Sequence, residues 1–201
     1  MLKNIIFDFG DIFINLDKQA IFREMEKFGA KPEPTPELIS LSETYEVGGI
    51  PSDEFINQLR EVCPKAKPKD IVSSWNSILL DFPDYRLRFL EELGGKKTYR
   101  LFLLSNTNAM HIERVIEIMG IDKFDRFKNS FEKFYLSHEI NLRKPNADIY
   151  QFVLDQNKLI AEETIFIDDT KENTDAAEKL GIKCWHLHVG KEDIVHLKTK
   201  L

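Results

Sequence analysis

Cysteine is scarce in this 201-residue chain: Cys63 and Cys184 stand far apart, in neither a CxxC nor a mixed Cys/His ligand spacing. That excludes a disulfide-stapled scaffold and a zinc-ribbon site, and two free thiols are expected. Glycine-rich and low-complexity stretches are missing, and so is any internal repeat. No apolar run approaches the ~20 residues of a membrane span. Met1 leads directly into a strand-like segment without the basic flank and apolar core of a leader, so a cytoplasmic location with no membrane partner is the expectation. Clustered positive charge is also lacking. With 28 Lys and Arg against 34 Asp and Glu, the net charge is −6, and no basic patch resembles a phosphate-backbone footprint. Nucleic acid is therefore not an expected partner. No long heptad stands out, and oligomeric state is not legible.

What is present is a rhythm of short apolar runs. Lys3–Phe9, Tyr99–Ser105, Lys128–Phe131, Thr164–Asp168 and Ile182–Leu187 read as strands, with helical patterns between the later ones. Strands alternating with helices imply a parallel sheet covered on both faces. The interval 15–83 breaks the rhythm. Phe22, Met25 and Phe28 recur at helical spacing, and a Pro-rich joint spans Pro32 to Pro36. A second helix is expected around Leu38 to Val47, a third opened by Ser52–Asp53–Glu54, and a fourth from Lys69 to Leu80 after the Pro64–Pro68 loop. The expected organisation is a core of residues 1–14 and 84–201 with a small helical unit, 15–83, inserted after the first strand. An insertion there lies directly above Asp8.

Polar residues collect at the ends of these strands, where open α/β sheets bind their ligands. Asp8, with Gly10 and Asp11, follows the first strand. Ser105–Asn106 follow the second. Lys144 and Pro145 precede the helical stretch ADIYQFVL, and Asp168–Asp169 follow the fourth strand, with Asn173 and Asp175 just beyond. Taken singly, each has an ordinary structural reading: a turn for Asp8, helix caps for Ser105, Asn106 and Asp168–Asp169, a solvated lysine for Lys144. Their joint order favours a common site. His111 lies near a helix start and carries no assigned role, and His138, His186, His188 and His196 show no metal-ligand spacing.

The segments FDFGDIF, LLSNTN, RKPNADIY and FIDDTKENTDAAEKLGI resemble, in order, the four motifs of the haloacid dehalogenase superfamily. The resemblance spans nearly the whole chain, and the insertion is similar to the helical cap of one of its subclasses. The FDxG opening looks like the branch that includes α-D-glucose-1-phosphate phosphatase and the phosphatase domain of soluble epoxide hydrolase. The fold implied is Rossmann-like, with an inserted small α-helical cap, and the activity implied is Mg²⁺-dependent hydrolysis of a small phosphorylated metabolite, a sugar phosphate among the candidates.

The chemistry fits the residue types. An anionic Asp8 reaches a phosphorus only if cations neutralise the transferring oxygens, which Lys144 and a divalent metal would do. Mg²⁺ prefers oxygen ligands. Asp8 and Asp169 are the expected direct ligands, Asp168 a direct or water-mediated one, and the resemblance adds the main-chain carbonyl of Gly10. Ser105 and the Asn106 amide would donate to phosphoryl oxygens while Asp8 attacks to form an aspartyl-phosphate. Position 10 departs from the superfamily pattern, which usually has an acid/base Asp there. General acid–base help is worth about 10² to 10⁴ in rate. Asp11, a cap residue, or a substrate with an acidic leaving alcohol are the alternatives. Two other functions are compatible with a bare position 10: a 2-haloacid dehalogenase, and a phosphate-binding protein without turnover. Tyr45, Glu46, Trp75 and Asn76 of the cap are candidate substrate-setting residues.

Overall fold

The computed structural model describes all residues, 1–201. Five parallel strands, β1 (Asn4–Phe7), β2 (Arg100–Ser105), β3 (Lys133–Leu136), β4 (Thr164–Asp168) and β5 (Lys183–His186), form one sheet in the order β3-β2-β1-β4-β5. Central β1 is buried along its whole length, which explains why its sequence is a continuous apolar run rather than an alternating one. Its side chains divide by parity. Ile5 and Phe7 enter one core with Leu101, Leu103, Ile165 and Ile167, whereas Ile6 enters the opposite one with Phe102, Leu104 and Phe166. The first face is covered by α5 (Asp84–Gly95), α6 (Ala109–Met119) and α7 (Ile121–Asn129), and the second by α9 (Ala147–Asn157) and α10 (Lys171–Glu178).

The third strand is not where patterning places it. Lys128 and Asn129 end α7, and the strand is Lys133–Leu136. The helical period wins over the short apolar run: Phe124, Phe127 and Phe131 share one stripe against the sheet, with Phe127 and Phe131 edge to face at 5.1 Å. True β3 is an edge strand with its side chains half in solvent, so its apolar signal is weak.

Between β1 and β2 lie α1 (Ala20–Glu26), α2 (Pro36–Glu46), α3 (Ser52–Val62) and α4 (Pro68–Asn76), with a hydrophobic core of their own built on Phe55, Leu59, Cys63, Ile71 and Trp75. Their starts follow local chemistry. Thr35 Oγ1 accepts from Leu38 N ahead of Pro36, and the Asp70 carboxylate accepts from Lys67 N ahead of Pro68. α4 stops at Asn76, short of the expected Leu80, because the chain there enters a two-stranded connection. Asn15 N donates to Asp81 O, Leu80 N to Asn15 O and Asp17 N to Ile78 O, all at 2.9–3.0 Å. Both cysteines are free thiols, and no helix is long and apolar enough to cross a membrane.

Three of the contacts that tie the helical unit to the sheet involve Asn141, Arg143 and His111. Asn141 Nδ2, on the turn after α8 (Ser137–Ile140), donates to Val47 O at 2.8 Å. Beside it Gly48 has φ +68°, and a Cβ there would meet His138 O at 2.4 Å, so only glycine permits this approach. Arg143 pairs with Glu43 and Glu46 of α2. In the third contact His111 stacks on Trp75 at 5.4 Å. Its Nε2 lies 3.2 Å from Trp75 O and its Nδ1 lies 3.1 Å from Asn108 Nδ2, whose Oδ1 already accepts from His111 N. These partners assign the neutral Nε2–H tautomer, since a second ring proton would face a donor.

Burial pushes His111 down to about 4 from 6.5. A base whose folded pKa is depressed contributes stability that is present above its unfolded pKa and lost as pH falls toward the folded one. Chemical denaturation at pH 7 and pH 5 should therefore show a loss of about 2 kcal/mol at pH 5 from this group, absent in His111→Gln. Equal pH profiles for the two proteins would refute the assignment.

Candidate active site

Parallel register brings the reactive groups to one edge. Phe7 pairs with Leu103 on one side and Ile167 on the other, so the residues just past them, Asp8 and Asp168, emerge side by side. Asp8 N continues the ladder to Ile167 O at 2.9 Å. Two adjacent buried carboxylates need a cation, and Lys144 supplies it. Its Nζ donates to Asp8 Oδ1 at 2.6 Å and Asp168 Oδ2 at 2.7 Å, and the residue is 1% exposed. Burial alone would lower the ammonium, but Asp168 and Asp8 together hold its pKa above the ordinary lysine value. The Asp8 carboxyl is raised as well. Burial, opposed by Lys144 and reinforced by Asp168 and Asp169, pushes it up to about 7.

Asn106 fixes the position of Lys144. Its side-chain Nδ2 donates to Lys144 O at 2.8 Å while its Oδ1 accepts from Lys144 N at 2.9 Å, so the end of β2 clamps the loop before α9. Asp168 is fully enclosed: beyond Lys144 it accepts from Thr170 N at 2.8 Å and from Asn173 Nδ2 at 3.0 and 3.1 Å. Asn173 is itself held by Tyr150, whose hydroxyl donates to Asn173 O at 2.9 Å. Asp169 is half-buried and turns the other way, paired with Lys18, which also meets Asp11 Oδ2 at 3.1 Å. Burial raises the Asp169 carboxyl above its ordinary value.

Ligand oxygens of Asp8, Asp168 and Asp169 all lie within 4.8 Å of one another. With Asp11 beside them, these carboxylates outnumber the two lysines, Lys144 and Lys18, that pair with them, and an all-oxygen donor set with surplus negative charge suits a hard divalent cation. The cleft above, about 490 Å³, is lined by Asp8, Gly10, Asn106, Lys144 and Asp169 below and by Leu16, Lys18, Glu43, Glu46 and Arg143 above. A groove of about 590 Å³ lies at the opposite, amino-terminal edge of the sheet around Asn4, Tyr99 and Arg100, and gathers no comparable carboxylate cluster.

The structure brings Asp8, Gly10, Asn106, Lys144, Asp168 and Asp169 together. It does not bring Ser105 or Asp11 to the cleft surface. Ser105 is buried, its Oγ reaching only Asn106 O at 3.4 Å. Asp11 has φ +55°, and its Oδ1 accepts from Leu16 N at 3.0 Å, which turns its carboxylate toward the linker. The Asn106 side chain is committed to Lys144, leaving only its main-chain N–H for a phosphoryl oxygen. Tyr45 packs inside the helical unit, stacking on Phe55 at 4.1 Å, and Trp75 lies between that core and His111. Lys18, Glu43 and Arg143 were not foreseen. Charged residues on helices and loops carry no sequence signal for which of them a fold turns inward.

A capped parallel α/β sheet whose strand-end carboxylates share a buried lysine defines a Rossmann-like hydrolase class. Residues 5–187 match the model of the haloacid dehalogenase-like hydrolases, and the chain belongs to that family. It is 26% identical over 188 residues to a D-ribitol-5-phosphate phosphatase of Bacteroides thetaiotaomicron, covering 91% of this chain and 90% of that protein. A sesquiterpene phosphatase of Aspergillus oryzae is 40% identical over 108 residues, 52% of this chain and 50% of that one. A solved haloacid-dehalogenase-family enzyme from B. thetaiotaomicron superposes with a TM-score of 0.87 at 34% identity, covering 98% of each chain. Its magnesium complex gives 0.86 at 33%, over 98% of each chain.

Lys144→Met would leave Asp8 and Asp168 facing each other uncompensated. Urea unfolding should show a loss of about 3 kcal/mol or more at pH 8, and a smaller loss at pH 5. The orphaned carboxyls would have raised folded pKa values, so the penalty grows as pH rises above the unfolded carboxylate range. A pH-independent loss would show that the ammonium's charge is not what offsets the carboxylates.

Proposed function

We propose that this chain is a Mg²⁺-dependent phosphatase that hydrolyses a small phosphate monoester through an aspartyl-phosphate on Asp8. The observation that carries the reading is the Lys144 ammonium bridging Asp8 and Asp168 at the cleft floor. An anionic nucleophile beside a buried cation is suited to attack an anionic phosphorus. Asp8, Asp169 and the Gly10 carbonyl would hold the ion, with Asp168 behind them. Bound magnesium neutralises charge on the transferring oxygens. Asp8 forms its oxygen–phosphorus bond as the leaving oxygen departs in line. Lys144 holds the carboxylate orientation and balances the phosphoryl charge, and the main-chain N–H of Asn106 donates to a phosphoryl oxygen. Water then attacks phosphorus and releases inorganic phosphate, regenerating Asp8. The related solved enzyme was also obtained, as a mutant, with magnesium and inorganic phosphate.

Proton transfer to the leaving oxygen is the weak step. Asp11 would have to release both Lys18 and Leu16 N to take part. An acidic leaving alcohol, such as the anomeric oxygen of a sugar 1-phosphate, needs less help, and sugar phosphates belong in the first substrate screen. The relatives are named for a polyol phosphate and for a sesquiterpene, so kinship leaves the alcohol open.

Asp8→Asn should lower turnover of an aryl phosphate by about 10³-fold or more and abolish trapping of a phosphorylated protein. EDTA should do the same reversibly. Turnover that survives either treatment defeats the reading.

Gly10→Asp supplies a second test. A Cβ at position 10 would lie 2.8 Å from Leu16 Cδ1 and 3.9 Å from Asp8 Oδ2, so a flexible methyl group occupies the space a carboxylate would take. Gly10→Asp with Leu16→Ala should raise turnover of unactivated alkyl phosphates by about 10²-fold, with little change for aryl phosphates, whose leaving groups need no proton. Equal changes for both classes would show that proton transfer does not limit the wild-type protein.

A further inference from the structure

A second concavity, about 250 Å³, opens from the cleft into the underside of the helical cap. Its walls are Ile21 and Phe22 of α1, Leu38 and Ile39 of α2, Trp75 of α4 and Ile78 at the start of the returning linker. The two spaces adjoin, since Lys18, Glu43, Glu46 and Arg143 line both. These four charged side chains form a collar, and each is paired there. Arg143 Nη1 meets Glu43 Oε1 at 3.1 Å, its Nη2 meets Glu46 Oε2 at 3.2 Å, and Lys18 meets Asp11 and Asp169. Beyond the collar the lining is mostly apolar, its polar side-chain atoms being the Ser42 hydroxyl, which donates to Leu38 O, and the Trp75 indole nitrogen, and it holds no unpaired cation for a second anionic group. Ile39 remains 46% exposed on its wall, a cost that an apolar occupant would remove.

We infer that this chamber is a leaving-group subsite, and that the substrate is a phosphate monoester of an alcohol bearing an apolar group. This rests on the phosphatase reading and adds the class of alcohol. The volume accommodates roughly eight non-hydrogen atoms at ~30 Å³ each. Because the chamber adjoins the reaction cleft across this collar, the leaving group of an ester whose phosphate lies over Asp8 is the occupant it is placed to take. Binding energy gained there, remote from phosphorus, serves to hold the ester in line for attack. A polyol phosphate of the same length would bring several hydroxyls against Ile21, Leu38 and Ile78, with only the Ser42 hydroxyl and the Trp75 indole N–H as uncharged polar side-chain groups in the lining.

Linear alkyl phosphates from ethyl to octyl isolate the effect, because their alcohols have similar acidity and differ in apolar length. With Mg²⁺ present, kcat/KM should rise about two- to fourfold per methylene buried, giving an octyl-to-ethyl ratio of at least about 30, and ribitol 5-phosphate should be a poorer substrate than a pentyl or hexyl phosphate. Ile39→Asp should bring the octyl-to-ethyl ratio down to a few-fold. Trp75 gives a reading on the unaltered protein, since octylphosphonate should shift its fluorescence at concentrations well below those methylphosphonate needs, whereas Trp185 lies in the sheet core. Turnover with a flat chain-length profile, a ratio unmoved by Ile39→Asp, or preference for the polyol ester overturns the subsite and leaves the phosphatase reading standing. Inert esters together with tight, length-dependent phosphonate binding would overturn hydrolysis and leave the chamber as a ligand site. If the esters are inert and the two phosphonates bind alike, both readings fail.

Discussion

Two carboxylates and one ammonium buried together at the end of a parallel sheet are the constraint around which this molecule is arranged. Taking three charges out of water costs several kcal/mol each unless their geometry is met by compensating bonds. Here every member is supported. Asp8 arrives one step beyond β1, and Asp168 is the last residue of β4, with four bonds to its carboxylate. Lys144 is gripped at its main chain by Asn106, and Asn173 is held in turn by the Tyr150 hydroxyl. β1, β2, β4, α9 and α10 thus each contribute one fixed point to the same cluster.

The chain segment that supplies the floor of the cleft also supplies its roof contact. Arg143, one residue before Lys144, reaches Glu43 and Glu46 on α2, and Asn141, two residues earlier still, reaches Val47. Movement of the cap therefore acts on the loop that carries the buried ammonium. On the other side of the cleft Lys18, in the linker into the cap, reaches Asp169. These two ion pairs bracket the cleft at the seam between cap and sheet, and both already have one partner about half exposed.

Legibility in the sequence followed burial. Thr164–Asp168 is found as a strand over the expected residues because a strand buried on both faces has an unbroken apolar signature. β3 lies beyond the apolar run that patterning selects, which belongs to α7 and its trailing turn, because an edge strand shares its residues with solvent while the phenylalanine stripe of α7 is fully apolar. Asn106 sat where a phosphate ligand was expected, yet its side chain binds Lys144. An amide at a strand end serves a ligand or a neighbouring loop equally well, and only the loop's return path decides between them. Asp11 shows the same limit, since one positive φ turns its carboxylate away from the reaction cleft.

By itself the sequence determined the element order, the four strand-end motifs and the bare position 10, because each is written in local chemistry: apolar runs, capping residues, the absence of a side chain. Tertiary structure alone decided that Asp8 and Asp168 would share one ammonium, that Leu16 would occupy the space beside Gly10, and that an apolar chamber would open beyond a collar of paired charges. Those outcomes depend on registers and crossings between segments far apart in the chain. A residue's type states what it can bind, and its neighbours across the fold settle what it does bind.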